Sequence, residues 1–160
     1  MIVALFVLAG VVLVAFAGVL LVGAPYLPTL RPQIYTAFEL LDLKQGQTVL
    51  ELGCGDGKVL IAAAEKGYRA IGIELNPFLW AIAWLRTRRY GSKVQVIWGN
   101  FWHMAWPPAD AVFVFLLDRF MPKLDSVMQK RGGKLVSIAF RVPAAAVAAE
   151  RNSVFLYCYQ

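Results

Sequence analysis

The chain opens on a long apolar run and then changes to shorter segments. Residues 1–23 contain no charged or amide side chain. A helix of that length would reach about 34 Å, and the hydrocarbon core of a bilayer is about 30 Å thick. The pattern predicts one N-terminal transmembrane helix over residues 1–24. A cleaved signal peptide is the alternative, although it would have a basic start and a shorter apolar core.

Residues 25–47 are predicted to form a linker followed by a covering helix. Prolines make residues 28–32 a short, stiff linker. Residues 33–43 carry Ile34, Ala37, Phe38 and Leu41 at helical spacing. The apolar stripe of this helix would lie against a sheet.

From residue 48 onward, short apolar segments alternate with helical patterns, which predicts an α/β domain with a mostly parallel sheet flanked by helices. Predicted strands cover 48–52, 69–73, 94–98, 110–116, 134–140 and 153–159. Predicted helices cover 58–66, 119–130 and the segment from Pro77 to about residue 90, with Asn76 as its N-cap. Only residues 141–152 separate the last two strands, so we expect six strands rather than seven, with a short helix over 144–149.

The segment VLELGCGDG, residues 49–57, leads an apolar strand into a glycine turn. Glycine permits positive φ and lets a ligand approach the backbone. Glu51 and Asp56 would repel a pyrophosphate, and Lys58 stands where dinucleotide-binding turns have a third glycine. Both features favour a cationic nucleoside, S-adenosyl-L-methionine, over a dinucleotide. A tight turn without a ligand is the remaining alternative.

A second acid, Glu74, ends the next predicted strand, where a carboxylate can accept both ribose hydroxyls of a nucleoside. The carboxyl ends of parallel strands face one crevice, so Glu74 should lie near Asn100, a candidate adenine contact, and near Phe101, which would cover the adenine face. The predicted cofactor-binding residues are Glu51, Gly53, Cys54, Gly55, Asp56, Gly57, Glu74, Leu75, Asn100 and Phe101.

Residues 49–140 resemble seven-strand, Rossmann-like S-adenosylmethionine-dependent methyltransferases. More narrowly, ELGCGDGK (51–58), GIELNPFL (72–79) and VFLL (114–117) resemble small membrane-anchored protein-lysine N-methyltransferases. Characterised members of that family modify the c-ring protein of ATP synthase and the adenine nucleotide carrier. The resemblance implies that residues 48–160 form a methyltransferase domain acting on lysine of a membrane or membrane-associated protein. The family often has proline where this chain has Asp118.

Methyl transfer is a direct displacement that needs an aligned amine more than a nucleophilic side chain. Asp118 is therefore the candidate catalytic residue, since it could orient a lysine ammonium and accept its proton through water; a helix-capping role is the alternative. Trp102 and Leu117 are candidate substrate contacts, Trp102 by a cation–π interaction. Core packing or anchoring at a membrane interface is the alternative, and it is the more common role of such aromatic side chains. His103, the only histidine, is a further candidate base or a solvated residue.

The net charge of +6 comes entirely from residues beyond the apolar run. This asymmetry predicts a single-pass membrane protein with its domain on the cytoplasmic side, or on the matrix side in a mitochondrion. The expected partners are the bilayer and a membrane protein. Nucleic acid is not expected, because no element for base reading is evident. Cys54 and Cys158 lack metal-ligand spacing, so free thiols and no metal are expected.

Two other functions remain open from the sequence. The first is methylation of a lipid or a small lipophilic molecule. The second is a non-catalytic role as an S-adenosylmethionine-binding assembly protein that uses the same fold. The destination of a labelled methyl group separates these functions from protein-lysine methylation.

Overall fold

The fold is built on one seven-stranded sheet. The computed structural model describes residues 29–160, together with Ile2, Phe6 and Gly10. The strands are β1 (Thr48–Leu52), β2 (Arg69–Glu74), β3 (Val94–Trp98), β4 (Ala111–Val114), β5 (Gly133–Ile138), β6 (Ala149–Arg151) and β7 (Val154–Tyr159). Their order is β3-β2-β1-β4-β5-β7-β6. The first five strands are parallel, and β7 pairs antiparallel with both β5 and β6. The predicted α/β class with a mostly parallel sheet is confirmed.

Within residues 29–160, four α-helices and three short 3-10 helices precede or connect the strands. The α-helices are α1 (Arg31–Leu41), α2 (Lys58–Glu65), α3 (Pro77–Thr87) and α4 (Met121–Arg131), and the 3-10 helices are Arg88–Lys93, Phe101–His103 and Asp118–Phe120. Helix α3 starts as the sequence predicts, because the Asn76 side chain accepts from the Phe78 amide at 2.9 Å and proline follows the cap.

Side chains alternate between the two faces of the sheet and form two apolar clusters. On one face, Val49 of β1 packs with α1, α2 and α3 through Phe38, Leu60 and Ala83. On the other face, Leu50 packs in a cluster that contains the buried apolar residues of α4. Helix α1 covers β5 and β7, in the place that the sequence assigned to a covering helix.

The prediction of six strands is wrong, because β6 forms a hairpin with β7. A two-residue turn of Asn152 and Ser153, with φ of 53° and 58°, joins Arg151 to Val154. Positive φ at both central residues is the pattern of a type I′ turn, which matches the twist of paired strands and needs little chain. The predicted helix over residues 144–149 is also wrong, since Ala149 belongs to β6 and the preceding alanines lie in turn, bend and irregular segments.

The predicted transmembrane helix over residues 1–24 lies outside the continuously described residues. Among the residues that the structure describes, no helix has the length and apolar character needed to cross a bilayer.

Candidate active site

The glycine turn after β1 is held against the end of β2 by backbone hydrogen bonds. The amides of Gly53 and Cys54 donate to the Ile73 carbonyl oxygen at 2.8 and 3.1 Å. Gly53 has φ of +79°, and a Cβ built there would have no neighbour within 4 Å. The backbone at Gly53 therefore faces open space, as a ligand-binding turn requires.

Glu74, at the end of β2, ties the turn to the start of α3. One carboxylate oxygen accepts from the Gly55 amide and the other from the Asn76 amide, both at 2.8 Å. Burial raises the pKa of Glu74, and these backbone hydrogen bonds act in the opposite direction. Each carboxylate oxygen has two lone pairs. Glu74 can therefore hold the turn and still accept a ribose hydroxyl.

Glu51, on the central strand β1, is a buried carboxylate with an orphaned oxygen. Its side chain is almost fully buried, and Oε2 has no hydrogen-bond partner. Burial raises the pKa of Glu51 well above its ordinary value, and the charges of Glu74 and Asp56 raise it further. A buried carboxylate without a partner is costly, so this position suits a ligand that brings a cationic hydrogen-bond donor.

Asp56, inside the turn, is engaged by an arginine that the sequence reasoning did not place at the site. Arg86 of α3 forms an ion pair with the Asp56 carboxylate and donates to its backbone oxygen at 3.0 Å. The turn also packs tightly on α3, since a Cβ at Gly57 would lie 3.2 Å from Ala83 Cα. Because Arg86 balances the charge of Asp56, attraction for a cationic ligand rests mainly on Glu51 and Glu74.

Cys54 contributes its backbone to the turn, while its side chain packs into the fold. The thiol is buried against Gly72, where a Cβ would come within 2.6 Å of Sγ. Burial raises the pKa of Cys54 well above its usual value. Cys54 and Cys158 are both free cysteines.

Hydrogen bonds between β2 and β3 bring Leu75 and Asn100 to the same edge of the sheet. The Gly99 amide donates to the Glu74 carbonyl at 2.9 Å, and Trp98 Nε1 donates to the Leu75 carbonyl at 3.1 Å. The side-chain oxygen of Asn100 accepts from the Trp102 amide at 2.9 Å and caps the 3-10 helix that follows. The amide nitrogen of Asn100 is then the group available to an adenine acceptor.

The loops after β3 and β4 meet through aromatic rings. Phe101 and Trp102 have ring centroids 4.7 Å apart, and Trp102 lies 6.1 Å from Phe120, three residues after Leu117. The Trp102 ring already contacts a cation of this chain, with Lys123 Nζ 4.5 Å from its centroid. This contact competes with the predicted use of Trp102 to hold a substrate ammonium.

Asp118 and His103 are both exposed at the carboxyl ends of the strands. Asp118 begins a 3-10 helix for which no side-chain cap is present, and α4 also lacks one. The capping alternative for Asp118 is therefore not what the structure shows. Across the described residues, no group of three or more His, Cys, Asp or Glu side chains could hold a metal ion.

The sheet has a glycine turn after its central strand β1 and an acid, Glu74, at the end of β2. This arrangement defines an open Rossmann-like fold with its crevice at the carboxyl ends of the strands. An RNA methyltransferase from Salinibacter ruber, solved with S-adenosyl-L-homocysteine, shares this fold. Its TM-score is 0.74 at 26% identity, with 83% of this chain and 92% of that chain covered.

Residues 51–149 match the family model described as the ANTKMT methyltransferase domain. The chain belongs to this family, and the predicted family resemblance is confirmed. The match includes the glycine turn, Glu74, Asn100 and Asp118.

Curated relatives carry names of lysine methyltransferases. A lysine N-methyltransferase from Xenopus laevis, named for the ATP synthase C-subunit, is 31% identical over 107 residues, which cover 66% of this chain and 47% of the relative. A protein-lysine N-methyltransferase from Saccharolobus islandicus is 29% identical over 149 residues, covering 83% and 92%. An adenine nucleotide translocase lysine N-methyltransferase from Mus musculus is 32% identical, covering 74% and 54%. The chain thus spans about half the length of the Xenopus laevis and Mus musculus relatives.

Proposed function

We propose that this protein is an S-adenosylmethionine-dependent methyltransferase that modifies lysine of a membrane or membrane-associated protein. The observation that carries the proposal is the orphaned Oε2 of buried Glu51, which interacts electrostatically with Glu74 and lies on the strand that leads into the open glycine turn. An ammonium and a ribose supply the donors that these carboxylates can accept. When bound, the methyl donor supplies an electrophilic methyl group on a sulfonium.

The residues divide into donor-holding and amine-orienting groups. Glu51 accepts the ammonium, Glu74 accepts ribose hydroxyls, and Asn100 offers its amide nitrogen to adenine. Asp118, exposed just after β4, orients the lysine ammonium and accepts its proton through water. A methyl donor held by Glu51 and Glu74 would supply its methyl group to the neutral amine that Asp118 holds in line, and the neutral thioether would leave with the electrons of the carbon–sulfur bond. Alignment of the amine, rather than covalent catalysis, supplies the rate enhancement.

Lysine as the target is supported by the names of relatives from animals and from an archaeon, all of which specify protein lysine. The membrane location is supported by the apolar residues 1–23 and by the basic charge that follows them. We propose a single-pass protein with its domain on the cytoplasmic side, or on the matrix side in a mitochondrion.

The test incubates the full chain with methyl-labelled donor and membranes from the source organism. Label in protein that is released as methyllysine supports the proposal. Solvent-extractable label would assign a lipid substrate, and nuclease-sensitive label would assign RNA. Donor binding without any transfer would favour a non-catalytic role, so each of these three results contradicts the proposal.

A matched pair of variants ties the transfer to the site. Glu51→Gln keeps the shape of the side chain but removes its charge, and it should abolish most of the transfer. Glu150→Gln makes the same change at an exposed carboxylate on β6, where Glu150 pairs with Arg141, and it should leave transfer unchanged.

A further inference from the structure

The outward side of α3 is apolar over residues 77–85, PFLWAIAWL. Ala83 and Thr87 on the inward side are buried in the fold. On the opposite side, Phe78, Ile82 and Leu85 are 44%, 43% and 53% exposed. A helix on the surface of a soluble domain normally carries polar residues on this side. The outward side of α3 is therefore suited to an apolar environment.

The exposed apolar surface extends from α3 to the edge of the sheet. Trp84 is 49% exposed, and Trp98, at the end of edge strand β3, is 61% exposed. Trp80 joins the two elements, with its ring centroid 6.3 Å from that of Trp98. Phe78, Ile82, Trp84, Leu85 and Trp98 together are called the apolar patch below. Contiguous exposed patches of this kind mark interaction sites, and tryptophan is enriched where a bilayer meets water.

Cations border the apolar patch at the C-terminal end of α3. Arg86, Arg88 and Arg89 follow Leu85 directly in the sequence. A groove of about 580 Å³ lies beside them, and its lining includes the cations Arg31, Lys58, Arg86 and Arg89 and one carboxylate, Glu65, so positive charges outnumber negative ones. This groove, called the basic groove below, complements anionic phosphate groups in charge.

The basic groove is also close in sequence to the apolar N-terminal run. Arg31, which lines the groove, comes eight residues after the last residue of the run, at position 23. Because this connection is short, the groove must stay close to the environment that the apolar run occupies. The position of the run and the charge of the groove both favour a lipid surface as the occupant.

We propose that the apolar patch and the basic groove form a monotopic membrane-contact surface. In this arrangement α3 lies in the plane of the bilayer interface, with its apolar side among the acyl chains and the basic groove beside its C-terminal end on anionic headgroups. Helix α3 has 11 residues. It is about 16 Å long, which suits an interfacial helix and is too short to span a bilayer. The proposal rests on the membrane location proposed above and names the surface that meets the lipid.

This contact sets the position of the donor crevice. Arg86 pairs with Asp56 of the glycine turn, and Glu74 accepts from Asn76, the N-cap of α3. Both ends of α3 are thus fixed to the crevice. A lysine near the membrane surface would reach the methyl group without lifting the domain from the bilayer.

The test places an environment-sensitive fluorophore on α3 of the full chain. Ile82→Cys in a Cys158→Ser background is labelled and reconstituted into phosphatidylcholine vesicles with and without phosphatidylglycerol. Lys130→Cys, exposed on α4 on the other side of the sheet, is the matched control. The Ile82 label should shift to the blue and be quenched by lipids brominated in their acyl chains, most strongly with phosphatidylglycerol. The Lys130 label should show neither change.

Equal, water-like emission from both labels overturns the proposal. Energy transfer between copies at Ile82 without lipid quenching would assign the surface to a second copy, and it overturns the proposal as well. Donor binding and methyl transfer are measured in the same vesicles. Loss of transfer with lipid quenching intact would count against the proposed function and not against the membrane-contact surface.

Discussion

Two carboxylates lie at neighbouring strand ends, but their surroundings give them different roles. Glu74 uses both oxygens to hold the glycine turn and the cap of α3. Glu51 leaves one oxygen without a partner, and burial and nearby negative charge raise its pKa more strongly. A cationic hydrogen-bond donor would satisfy the orphaned oxygen of Glu51. The donor-binding prediction therefore depends most on Glu51.

Glu51→Gln should weaken binding of S-adenosylmethionine by about tenfold or more. A hydrogen bond to a charged group contributes roughly 1.5–3 kcal/mol, which corresponds to this loss. Isothermal titration calorimetry of the purified full chain measures the change, with Glu150→Gln as the control. Equal affinity in the two variants would show that Glu51 does not contact the donor.

The raised pKa of Glu51 also predicts how stability depends on pH without ligand. The folded state holds the proton more tightly than the unfolded state, in which the pKa is near 4.5. The contribution of protonated Glu51 to stability is therefore complete below pH 4.5 and is lost as pH rises through the raised folded pKa. Glu51→Gln should thus gain stability over the wild type as pH rises. Denaturant unfolding across a pH series checks this, and a pH-independent difference would contradict it.

Gly57→Ala should destabilise the fold more than the same change at Gly46. Both glycines have positive φ, +78° and +84°, but only at Gly57 would the new Cβ have neighbours within 4 Å, with Ala83 Cα at 3.2 Å. In each variant, alanine must adopt a positive φ, which costs about 1–2 kcal/mol. Gly57→Ala adds an overpacking penalty of about 1–3 kcal/mol. Urea denaturation of both variants measures the difference, and equal losses would contradict the close approach of α3.

The sequence was sufficient to place Glu51 and Glu74 at the ends of neighbouring strands, because each acid lies in or ends an apolar segment. Their roles in donor binding stay predictions. The sequence was not sufficient to find Arg86, which lies 30 residues from Asp56 and sits where a cation also favours the helix dipole. The contact of Lys123 with Trp102 likewise depends on how two distant loops meet. Contacts between side chains that are distant in the sequence leave no pattern in the local sequence.

At the scale of elements, the parallel strands and most helices were predictable, whereas β6 was not. Strands β1 and β3 have the predicted bounds, because apolar segments between polar turns define them. Strand β6 has only three residues, of which two are exposed and charged. Its pairing depends on backbone angles at Asn152 and Ser153, and the alanines before it favour a helix in isolation. Tertiary pairing outweighed that local preference.

Ser153→Gly should raise the free energy of unfolding by up to about 1 kcal/mol. Glycine relieves the positive φ of 58°, worth roughly 1–2 kcal/mol, while its greater freedom in the unfolded chain costs about 0.5–1 kcal/mol. Ser92→Gly is the control, because Ser92 does not have positive φ. It should bring no gain. Chemical denaturation of both variants measures the free energy of unfolding. A lower value for Ser153→Gly than for the wild type would contradict the hairpin geometry.

At the scale of the whole molecule, three features point to the same location. The apolar run at residues 1–23, the basic charge of the rest of the chain and the apolar patch on α3 would each favour a membrane. Together they provide two attachments, one proposed as spanning and one as interfacial, and paired signals anchor proteins more stably than single ones.

The full chain should therefore remain with membranes after alkaline carbonate extraction. Carbonate removes proteins held by charge alone, whereas a spanning helix keeps the chain in the bilayer. Immunoblotting of pellet and supernatant measures the distribution, with a known peripheral protein as the control. Release into the supernatant would contradict the proposed single-pass anchor.

Peptide mass spectrometry of membrane proteins tests the central claim most directly. Membranes from cells that lack the protein are incubated with donor and either the wild type or Glu51→Gln. The wild type should add one, two or three methyl groups to lysine of a membrane or membrane-associated protein, and Glu51→Gln should add few or none. Donor binding by the wild type with no new methyllysine in any protein would contradict the proposed function.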